Sequence, residues 1–154
     1  MSAWRADLVA AGRAPTLWQA LVGWIANPGF ALACHHRAAH WAVGQGRLGR
    51  AVALVLERRM IATFGCHLSA QAHIGPGVRF PHPVGIVVGE GVVIGAGATL
   101  YQQVTLGRRT RDAADYPCLG DCVVVYCGAT LLGRVAIADG GVVGAQRLVI
   151  AREP

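Results

Sequence analysis

Aliphatic residues recur at every sixth position from residue 74 onward. They are Leu119, Val125, Leu131, Ile137, Val143 and Val149, with Ile74, Phe80 and Ile86 before them and Val88, Ile94, Leu100 and Leu106 after a two-residue slip. This period matches neither a helix (about 3.6) nor a strand (about 2). It is typical of a hexapeptide solenoid, in which each hexad forms a short strand and a turn and three hexads complete one triangular coil. A Val- and Gly-rich sandwich with chance spacing is the alternative.

Two further features of the hexads support this prediction. The residue after the aliphatic is often Gly, which allows the sharp turns that corners need; examples are Gly75, Gly95, Gly107, Gly120 and Gly144. The residue two positions before it is often small or β-branched, as at Val78, Val84, Ala98, Val104, Val123, Ala129 and Val135. Both features are expected of short strands that alternate with tight corners.

Before Gly65 the apolar spacing is helical instead. Residues 16–26 form one predicted helix, which Pro28 ends. Pro28 also suits the first turn of a second helix, which runs to residues 44–46, and a third helix runs from about residue 48 to residue 64. The predicted fold is therefore mainly β, with an α-helical cap over residues 1–64 and the solenoid over residues 65–154.

The composition points to an oligomer and to an anionic partner. With 54% apolar and 14% charged residues, the chain is too apolar for a typical soluble monomer. We therefore expect a C3 homotrimer with its active sites at the subunit boundaries. The net charge of +6 comes from fourteen arginines and no lysine, which favours nucleic acid, a membrane or a phosphorylated cofactor. No arginine-rich run with interleaved aromatic residues occurs, so nucleic acid is not the expected partner.

The cysteines and the apolar stretches bear on the compartment. Five cysteines form neither a Cys-x-x-Cys pair nor a pattern of zinc ligands, and the N-terminus lacks the features of a signal peptide. We therefore expect reduced thiols and a cytoplasmic protein. The longest apolar stretch, residues 17–43, is broken by residues 27–29 and by histidines, so no membrane span is expected.

The histidines give little support to a metal site. His36 and His40 lie one helical turn apart, but no third ligand has helical spacing, so we expect a packed or solvated helix face. His67 and His73 are six residues apart and fall on different faces of a coil, and His82 is in phase with neither. We therefore expect no bound metal.

One of these histidines has an unusual context. His82 lies between Pro81 and Pro83, next to the slip in the six-residue spacing. Further on, the polar residues 108–117 do not fit the spacing and are expected to loop out. Since a solenoid has little reason to extrude polar residues unless they cover something, we expect this loop to border a ligand site.

Three segments resemble the serine O-acetyltransferase family of hexapeptide-repeat acyltransferases, especially its short members from biosynthetic pathways. They are residues 82–90 (HPVGIVVGE), 103–107 (QVTLG) and 37–41 (RAAHW). The resemblance implies a left-handed parallel β-helix, a homotrimer, acetyl-CoA as the donor and a small molecule with a hydroxyl as the acceptor. Residues 65–154 would then form the acyltransferase domain.

The resemblance also implies roles for individual residues. His82 matches the family's catalytic histidine, and an imidazole suits a general base that deprotonates the acceptor hydroxyl at neutral pH. The acyl group passes directly from CoA to the acceptor in this family, so no cysteine nucleophile is needed. CoA contacts are expected at Gln103, Gly107, Arg108, Arg109 and Ala129, with Arg111 in the same basic loop.

Several positions depart from the serine-specific members of the family. His67 stands where those proteins have the carboxylate that orients the catalytic histidine. Pro81 stands where they have an acidic residue that helps to hold the serine amine. Asp115 and Tyr116 replace an Arg-His pair that precedes a proline. The fold and the donor are expected to survive these changes, whereas L-serine as the acceptor does not follow.

These departures leave the orientation of the base and the acceptor open. We expect His82 to be held by a backbone carbonyl, by His67 or by a loop carboxylate such as Asp112 or Asp115, and His67 is therefore the second predicted catalytic residue. The predicted acceptor is a sugar or secondary-metabolite hydroxyl, or serine. A non-catalytic trimeric scaffold and a metal-dependent hydratase on the same fold are the alternatives.

Overall fold

A computed structural model describes residues 2–110 and 115–151, which begin with four helices. They are α1 (Ala3–Ala10), α2 (Leu17–Ala26), α3 (Pro28–Val43) and α4 (Gly46–Phe64). The three helices predicted from apolar spacing are confirmed as α2, α3 and α4. The prediction missed α1, because this helix is only eight residues long and buries only Asp7 and Leu8. So short a helix shows no apolar period and depends on tertiary contacts.

The helix ends follow from local chemistry. Thr16 and Asn27 precede α2 and α3, and the side-chain oxygen of each accepts a hydrogen bond from the backbone N–H three residues further on, at 3.2 and 2.9 Å. These caps satisfy N–H groups that have no partner within the helix. Pro28 occupies the first turn of α3. Gly65 ends α4 in the left-handed conformation, with φ of 62°, which glycine adopts without steric cost.

Short strands follow α4 in the described part of the chain. Their bounds are β1 (His67–Leu68), β2 (His73–Ile74), β3 (Val87–Val88), β4 (Val93–Ile94), β5 (Thr99–Leu100), β6 (Thr105–Gly107), β7 (Cys118–Leu119), β8 (Val124–Val125), β9 (Thr130–Leu132), β10 (Ala136–Ile137), β11 (Val142–Val143) and β12 (Leu148–Ile150).

The chain visits three parallel sheets in rotation. The first sheet has the order β1-β3-β6-β9-β12, the second β2-β4-β7-β10, and the third β5-β8-β11. A bridge between Arg79 and Thr99 extends the third sheet by one coil. Each coil therefore contributes one short segment to each sheet, which is the three-sided solenoid that the six-residue period predicts.

The aliphatic residues of the hexads fill the interior of the solenoid. Those with no exposed surface are Ile86, Val88, Ile94, Leu100, Leu106, Val125 and Leu131. Burial of a side chain of this size stabilises a fold by about 1.5–3 kcal/mol. Val84 departs from the pattern and is 60% exposed. Its hexad spacing is misleading because the corner before it contains extra residues.

Two charged side chains of the helices bind the open edge of the first coil. The Arg37 guanidinium donates hydrogen bonds to the backbone carbonyls of Ile74 and Gly75, the latter at 2.6 Å. It also pairs with the buried Asp7 of α1 at 3.1 Å. Asp7 in turn accepts the backbone N–H of Gly77 at 2.7 Å. These bonds replace those that a preceding coil would make, so the helices complete the edge of the solenoid.

Two histidines of α3 complete the same edge. The Nε2 of His36 donates to the carbonyl of Ser69 at 3.1 Å, and the Nδ1 of His40 donates to the carbonyl of Ala70 at 2.9 Å. His36 is only 2% exposed. Burial, followed by the nearby Arg37 and His40, lowers the pKa of His36 from its ordinary 6.5 to about 3. The predicted packed helix face is therefore confirmed for His36, which is neutral at physiological pH.

No helix within residues 2–110 and 115–151 combines the length and apolarity that crossing a membrane requires. In the same residues, no group of three or more His, Cys, Asp or Glu side chains could hold a metal ion.

Candidate active site

His82 lies in a corner that is two residues longer than the same corner of the next coil. Arg79 bridges to Thr99 at an offset of twenty residues, whereas β3 pairs with β6 at an offset of eighteen. Residues 81–83 therefore stand where the next coil has Tyr101 alone. The strands on both sides keep their pairing, so the extra residues project the His82 imidazole outward without disturbing the solenoid.

The His82 side chain is exposed and lies beside an aromatic ring. The centre of its imidazole is 6.4 Å from the centre of the Tyr101 ring, at an angle of 47°. Its backbone carbonyl accepts the N–H of Val84 at 2.8 Å, which closes the turn between the two prolines. Within residues 2–110 and 115–151, no side-chain hydrogen bond or ion pair holds the imidazole. Both ring nitrogens therefore remain open to a ligand.

Tyr101 belongs to an aromatic column that runs along the solenoid. Its ring stacks on that of Tyr126, with centres 5.2 Å apart and planes at 16°. Each tyrosine directly follows the last residue of its strand, β5 or β8, and these strands pair in register. We call His82, Tyr101 and Tyr126 the aromatic column. Its rings form a row that starts at the imidazole and extends across two further coils.

His67, the second predicted catalytic residue, lies in β1 on the first sheet. Its backbone N–H donates to the carbonyl of Ile86 at 2.8 Å, and its side chain is exposed. No hydrogen bond or ring contact joins His67 to His82. The two histidines thus lie at the start and near the end of the first coil, and the structure does not bring their imidazoles into contact within one chain.

The loop carboxylates do not hold His82 either. Asp115 pairs with Arg134 at 2.9 Å, so its carboxylate is already engaged. Asp112 lies outside the described residues, as does Arg111. Among the described candidates of this chain, therefore, none orients the imidazole of His82.

The polar loop that the sequence predicts is confirmed as an insertion between β6 and β7. β4 pairs with β7 at an offset of twenty-five residues, seven more than the eighteen between β3 and β6. Tyr116 anchors the end of the loop by lying flat over Gly89 and Gly91. A Cβ on Gly91 would lie only 2.2 Å from the tyrosine ring, so the corner accepts this ring only because glycine is present.

Polar contacts strengthen this anchor. The hydroxyl of Tyr116 donates to Glu90 Oε1 at 2.9 Å, and Arg108 Nη1 lies 3.8 Å from the same oxygen. Desolvation, followed by the Glu90 carboxylate, raises the pKa of Tyr116 above its ordinary value. The two ends of the loop therefore meet at Glu90, where a cation from one end and a hydroxyl from the other share one carboxylate.

Four of the predicted CoA contacts lie in one segment. Gln103 has a left-handed backbone with φ of 59°, and its side chain packs over Gly85 in the corner of His82. Gly107 ends β6, and the exposed Arg108 and Arg109 begin the loop that follows. This segment leads away from the corner of His82 along the first sheet, as a site for an extended ligand would require.

The fifth predicted contact is placed differently. Ala129 has no exposed surface, because its side chain points into the solenoid. Its N–H donates to the carbonyl of Tyr126 at 3.3 Å, and its carbonyl accepts the N–H of Thr105 at 2.9 Å. Both of its backbone polar groups are therefore engaged within the coils.

The chain is similar to serine acetyltransferases in sequence and in structure. It is 38% identical over 135 residues to a probable serine acetyltransferase 3 of rice, which covers 86% of this chain and 44% of the relative. Over most of its own length, the chain thus resembles the serine acetyltransferases. The resemblance read from the three sequence segments is thereby confirmed. No protein-family profile matches the chain.

Solved structures of family members have the same fold. The soybean serine acetyltransferase apoenzyme superposes with a TM-score of 0.82 at 34% identity, over 97% of this chain and 65% of that one. A serine acetyltransferase in complex with CoA gives 0.84 at 28% identity, over 99% of this chain and 63% of that one. The chain spans less than half the length of the rice relative and under two thirds of either structure.

The sequence predictions missed Tyr101 and Tyr126 as site residues. An indication was nevertheless present, because both stand directly after an inward aliphatic residue, where other hexads have glycine. Two tyrosines at this position in successive coils predict a stack. The seven-residue loop between them conceals it, since the tyrosines are twenty-five rather than eighteen residues apart.

Proposed function

We propose that this protein is an acetyl-CoA-dependent O-acetyltransferase with His82 as its general base. The resemblance to serine acetyltransferases supports the class of reaction. The observation that carries the assignment of the base is the lengthened corner, which projects an unpartnered, exposed imidazole from an otherwise regular solenoid. Pro81 and His82 of this corner are exposed and only Pro83 is buried, so a ligand site accounts for the exposed imidazole better than packing does.

In the proposed reaction, the acyl group passes directly from CoA to the acceptor. His82 takes the proton of the acceptor hydroxyl as its oxygen forms a bond to the thioester carbonyl carbon. The tetrahedral intermediate collapses by breaking the carbon–sulfur bond, and the CoA thiolate recovers the proton from the imidazolium. Gln103, Gly107, Arg108 and Arg109 would bind the donor, with the arginines near its phosphates.

We propose further that the solenoid is a left-handed β-helix and that three copies form the active enzyme. Two observations support the trimer. No described residue of the same chain orients His82, which leaves room at the imidazole for a group from a neighbouring subunit. Val87, Val93 and Val142 on the three outer faces are 39, 40 and 65% exposed, and a trimer would cover such surfaces.

The acceptor that we propose is a sugar or secondary-metabolite hydroxyl, with serine as the less favoured choice. Pro81 beside the base carries no charge for an ammonium group, and the only described loop carboxylate is engaged by Arg134. All five cysteines are free, which supports a reducing compartment such as the cytoplasm.

The test is thiol release from acetyl-CoA in the presence of serine, sugar and nucleotide-sugar acceptors. We expect release with at least one hydroxyl acceptor and no loss of rate with a chelator. His82→Ala should lower turnover by about 10²–10⁴-fold while leaving CoA affinity nearly unchanged, because proton transfer contributes about that much. His67→Ala is the matched variant, since its side chain is also exposed and belongs to the same coil.

The outcomes separate the alternatives. Wild-type rates in both histidine variants would rule out His82 as the base, and no thiol release with any acceptor would favour a non-catalytic scaffold. A chelator-sensitive reaction would favour the metal-dependent hydratase. Sedimentation at micromolar concentration should give the mass of three chains, and the mass of one chain would contradict the trimer.

A further inference from the structure

The aromatic column ends on an open ring face. One face of the Tyr126 ring is covered by Tyr101, at a centre-to-centre distance of 5.2 Å. The side chain of Tyr126 is nevertheless 42% exposed. β8 pairs with β11 in the next coil, and this register aligns Tyr126 with Gly144, which carries no side chain. The column therefore stops at Tyr126, because Gly144 has no side chain that could continue it.

The space beside Gly144 is bounded but not filled. A Cβ built on Gly144 would have a single neighbour within 4 Å, the Cγ of Arg147 at 3.6 Å. The backbone of Gly144 is not left-handed, so no conformational demand explains the glycine. Gly128, in the preceding coil, differs because Gln146 lies over it at 2.4 Å from such a Cβ. At Gly144, the next position of the column is therefore open, between the ring of Tyr126 and the aliphatic part of the Arg147 side chain.

We propose that this opening, the Gly144 slot, receives a planar nucleobase that stacks on Tyr126. A ring placed there continues the column, and face-to-face or offset stacking is the favoured contact between aromatic rings at such spacings. Arg147 lies beside the slot, where its cation can bind a phosphate attached to the nucleotide or stack on the base. The inference rests on the proposed function, because CoA supplies both an adenine and phosphates.

The position of the slot suits the donor. The column starts at the imidazole of His82, where the thioester must lie, and the slot lies beyond its far end at Tyr126, three coils from His82. An extended donor would therefore have its reactive end at one end of the column and its base at the other. The base of a nucleotide-linked acceptor is the second possible source of the same chemistry.

The experiment compares ligands with and without a base by calorimetry on the full chain. The probes are CoA, pantetheine, which lacks the nucleotide, and uridine diphosphate as the nucleotide part of an activated sugar. Tyr126→Ala should weaken CoA binding by about 5- to 150-fold, the range measured for loss of one aromatic–base stack. It should leave pantetheine binding unchanged. Tyr126→Phe, which keeps the ring, should bind CoA as the wild type does.

A second variant fills the slot without altering the tyrosine. Gly144→Leu should weaken CoA binding to a similar extent, whereas Gly144→Ala should have a smaller effect because the site accommodates a Cβ. Circular dichroism and sedimentation check that each variant folds and assembles as the wild type does. In thiol-release assays, the KM for acetyl-CoA should rise more than kcat falls in Tyr126→Ala.

The outcomes distinguish this inference from the proposed function. If uridine diphosphate rather than CoA loses affinity in Tyr126→Ala, the nucleobase is that of the acceptor and the slot stands. If the wild type binds CoA and releases thiol but Tyr126→Ala and Gly144→Leu bind every probe normally, the inference is overturned and the function remains. Absence of CoA binding in the wild type, with uridine diphosphate binding lost in both variants, would overturn the function alone. No nucleotide binding at all overturns both.

Discussion

The two ends of the solenoid solve the same problem differently. At the first coil, side chains from α1, α3 and α4 bond the backbone groups that have no preceding coil, and the participants are Asp7, His36, Arg37, His40 and Glu57. At the last coil, β10, β11 and β12 end their sheets, and Val142, Leu148 and Ile150 are 65, 63 and 42% exposed. The first end is thus built from polar groups buried under helices, whereas the described residues of the last end leave apolar side chains at its surface.

Aspartates make this difference measurable, because an aspartate accepts a backbone N–H both under the helices and at exposed corners of the solenoid. Within the solenoid, Asp121 accepts the N–H of Ala96 at 2.7 Å, and Asp139 accepts the N–H of Asp121 at 2.8 Å. In the first coil, the N–H of Gly77 has no preceding coil whose carbonyl could accept it, as Pro76 accepts the N–H of Gly97, and Asp7 accepts it instead at 2.7 Å. Asp7 is 2% exposed, whereas Asp121 and Asp139 are exposed. The comparison predicts that equal hydrogen bonds contribute unequally to stability.

The largest effect should come from Asp7→Ala. The substitution leaves the guanidinium of Arg37 and the N–H of Gly77 without their carboxylate in a buried setting, which costs about 3–5 kcal/mol. Urea denaturation at one fixed protein concentration measures the free energy of unfolding, since assembly contributes to apparent stability. A loss no greater than that of Asp139→Ala would show that the helices add nothing to this bond.

The second effect is a loss of stability in acid that depends on His36. Because the pKa of His36 is about 3 in the folded protein and 6.5 when unfolded, the unfolded state binds the additional proton between these values. Its contribution is therefore complete above pH 6.5 and decreases as the pH falls toward 3. Between pH 7 and pH 4.5, the resulting decrease in the free energy of unfolding should be about 2–3 kcal/mol.

The matched variant for this prediction is His36→Gln. Its amide can still donate a hydrogen bond to Ser69 but does not titrate. The comparison is the difference in unfolding free energy between pH 7 and pH 4.5, measured in both proteins. An identical pH dependence in the variant and the wild type would show that His36 is not responsible.

Asp139→Ala should have a smaller effect at the far end. It removes one hydrogen bond to the Asp121 N–H at an exposed corner, where water can replace the carboxylate. We expect a loss of about 0.5–1.5 kcal/mol in the same urea experiment. A loss as large as that of Asp7→Ala would mean that this corner is covered in the assembled protein.

The smallest effect should come from Leu148→Gln in β12. The side chain is 63% exposed, and exposed substitutions away from special features change stability by about 0.5 kcal/mol or less. A decrease of several times that amount, together with a change in sedimentation, would show that another chain or segment covers the last coil. That result would remove the asymmetry between the two ends.

Local spacing in the sequence predicted the repeating parts of the molecule. The aliphatic residues of the hexads, such as Leu100 and Leu131, identify the interior, because every coil places a residue of this kind at the equivalent position. The two-residue interruption before Val88 could also be recognised in the sequence, since extra residues break an otherwise regular six-residue spacing. The Asp7–Arg37 pair was not predictable, because the partners are thirty residues apart and belong to no repeat.

The candidate site was predicted only in part, for the same physical reason. His82 was identified from its proline context and from family resemblance, both of which are local. The stack of Tyr101 on Tyr126 needed the register across the loop, which spacing alone does not give. His67 and His82 do not touch within the chain, and the spacing of residues along one chain does not report contacts between the subunits of the proposed trimer.

The lengthened corner at residues 81–83 also bears on how such a site could arise. The segments before and after it both pair with the next coil, at offsets of twenty and eighteen residues, so the extra residues are a local addition that leaves this pairing intact. A duplication or deletion of two codons could thus add or remove the proposed base in one step. On a repeating scaffold, a short insertion at one corner can therefore add a catalytic side chain. A related protein without this activity would differ from the present one by little more than one turn.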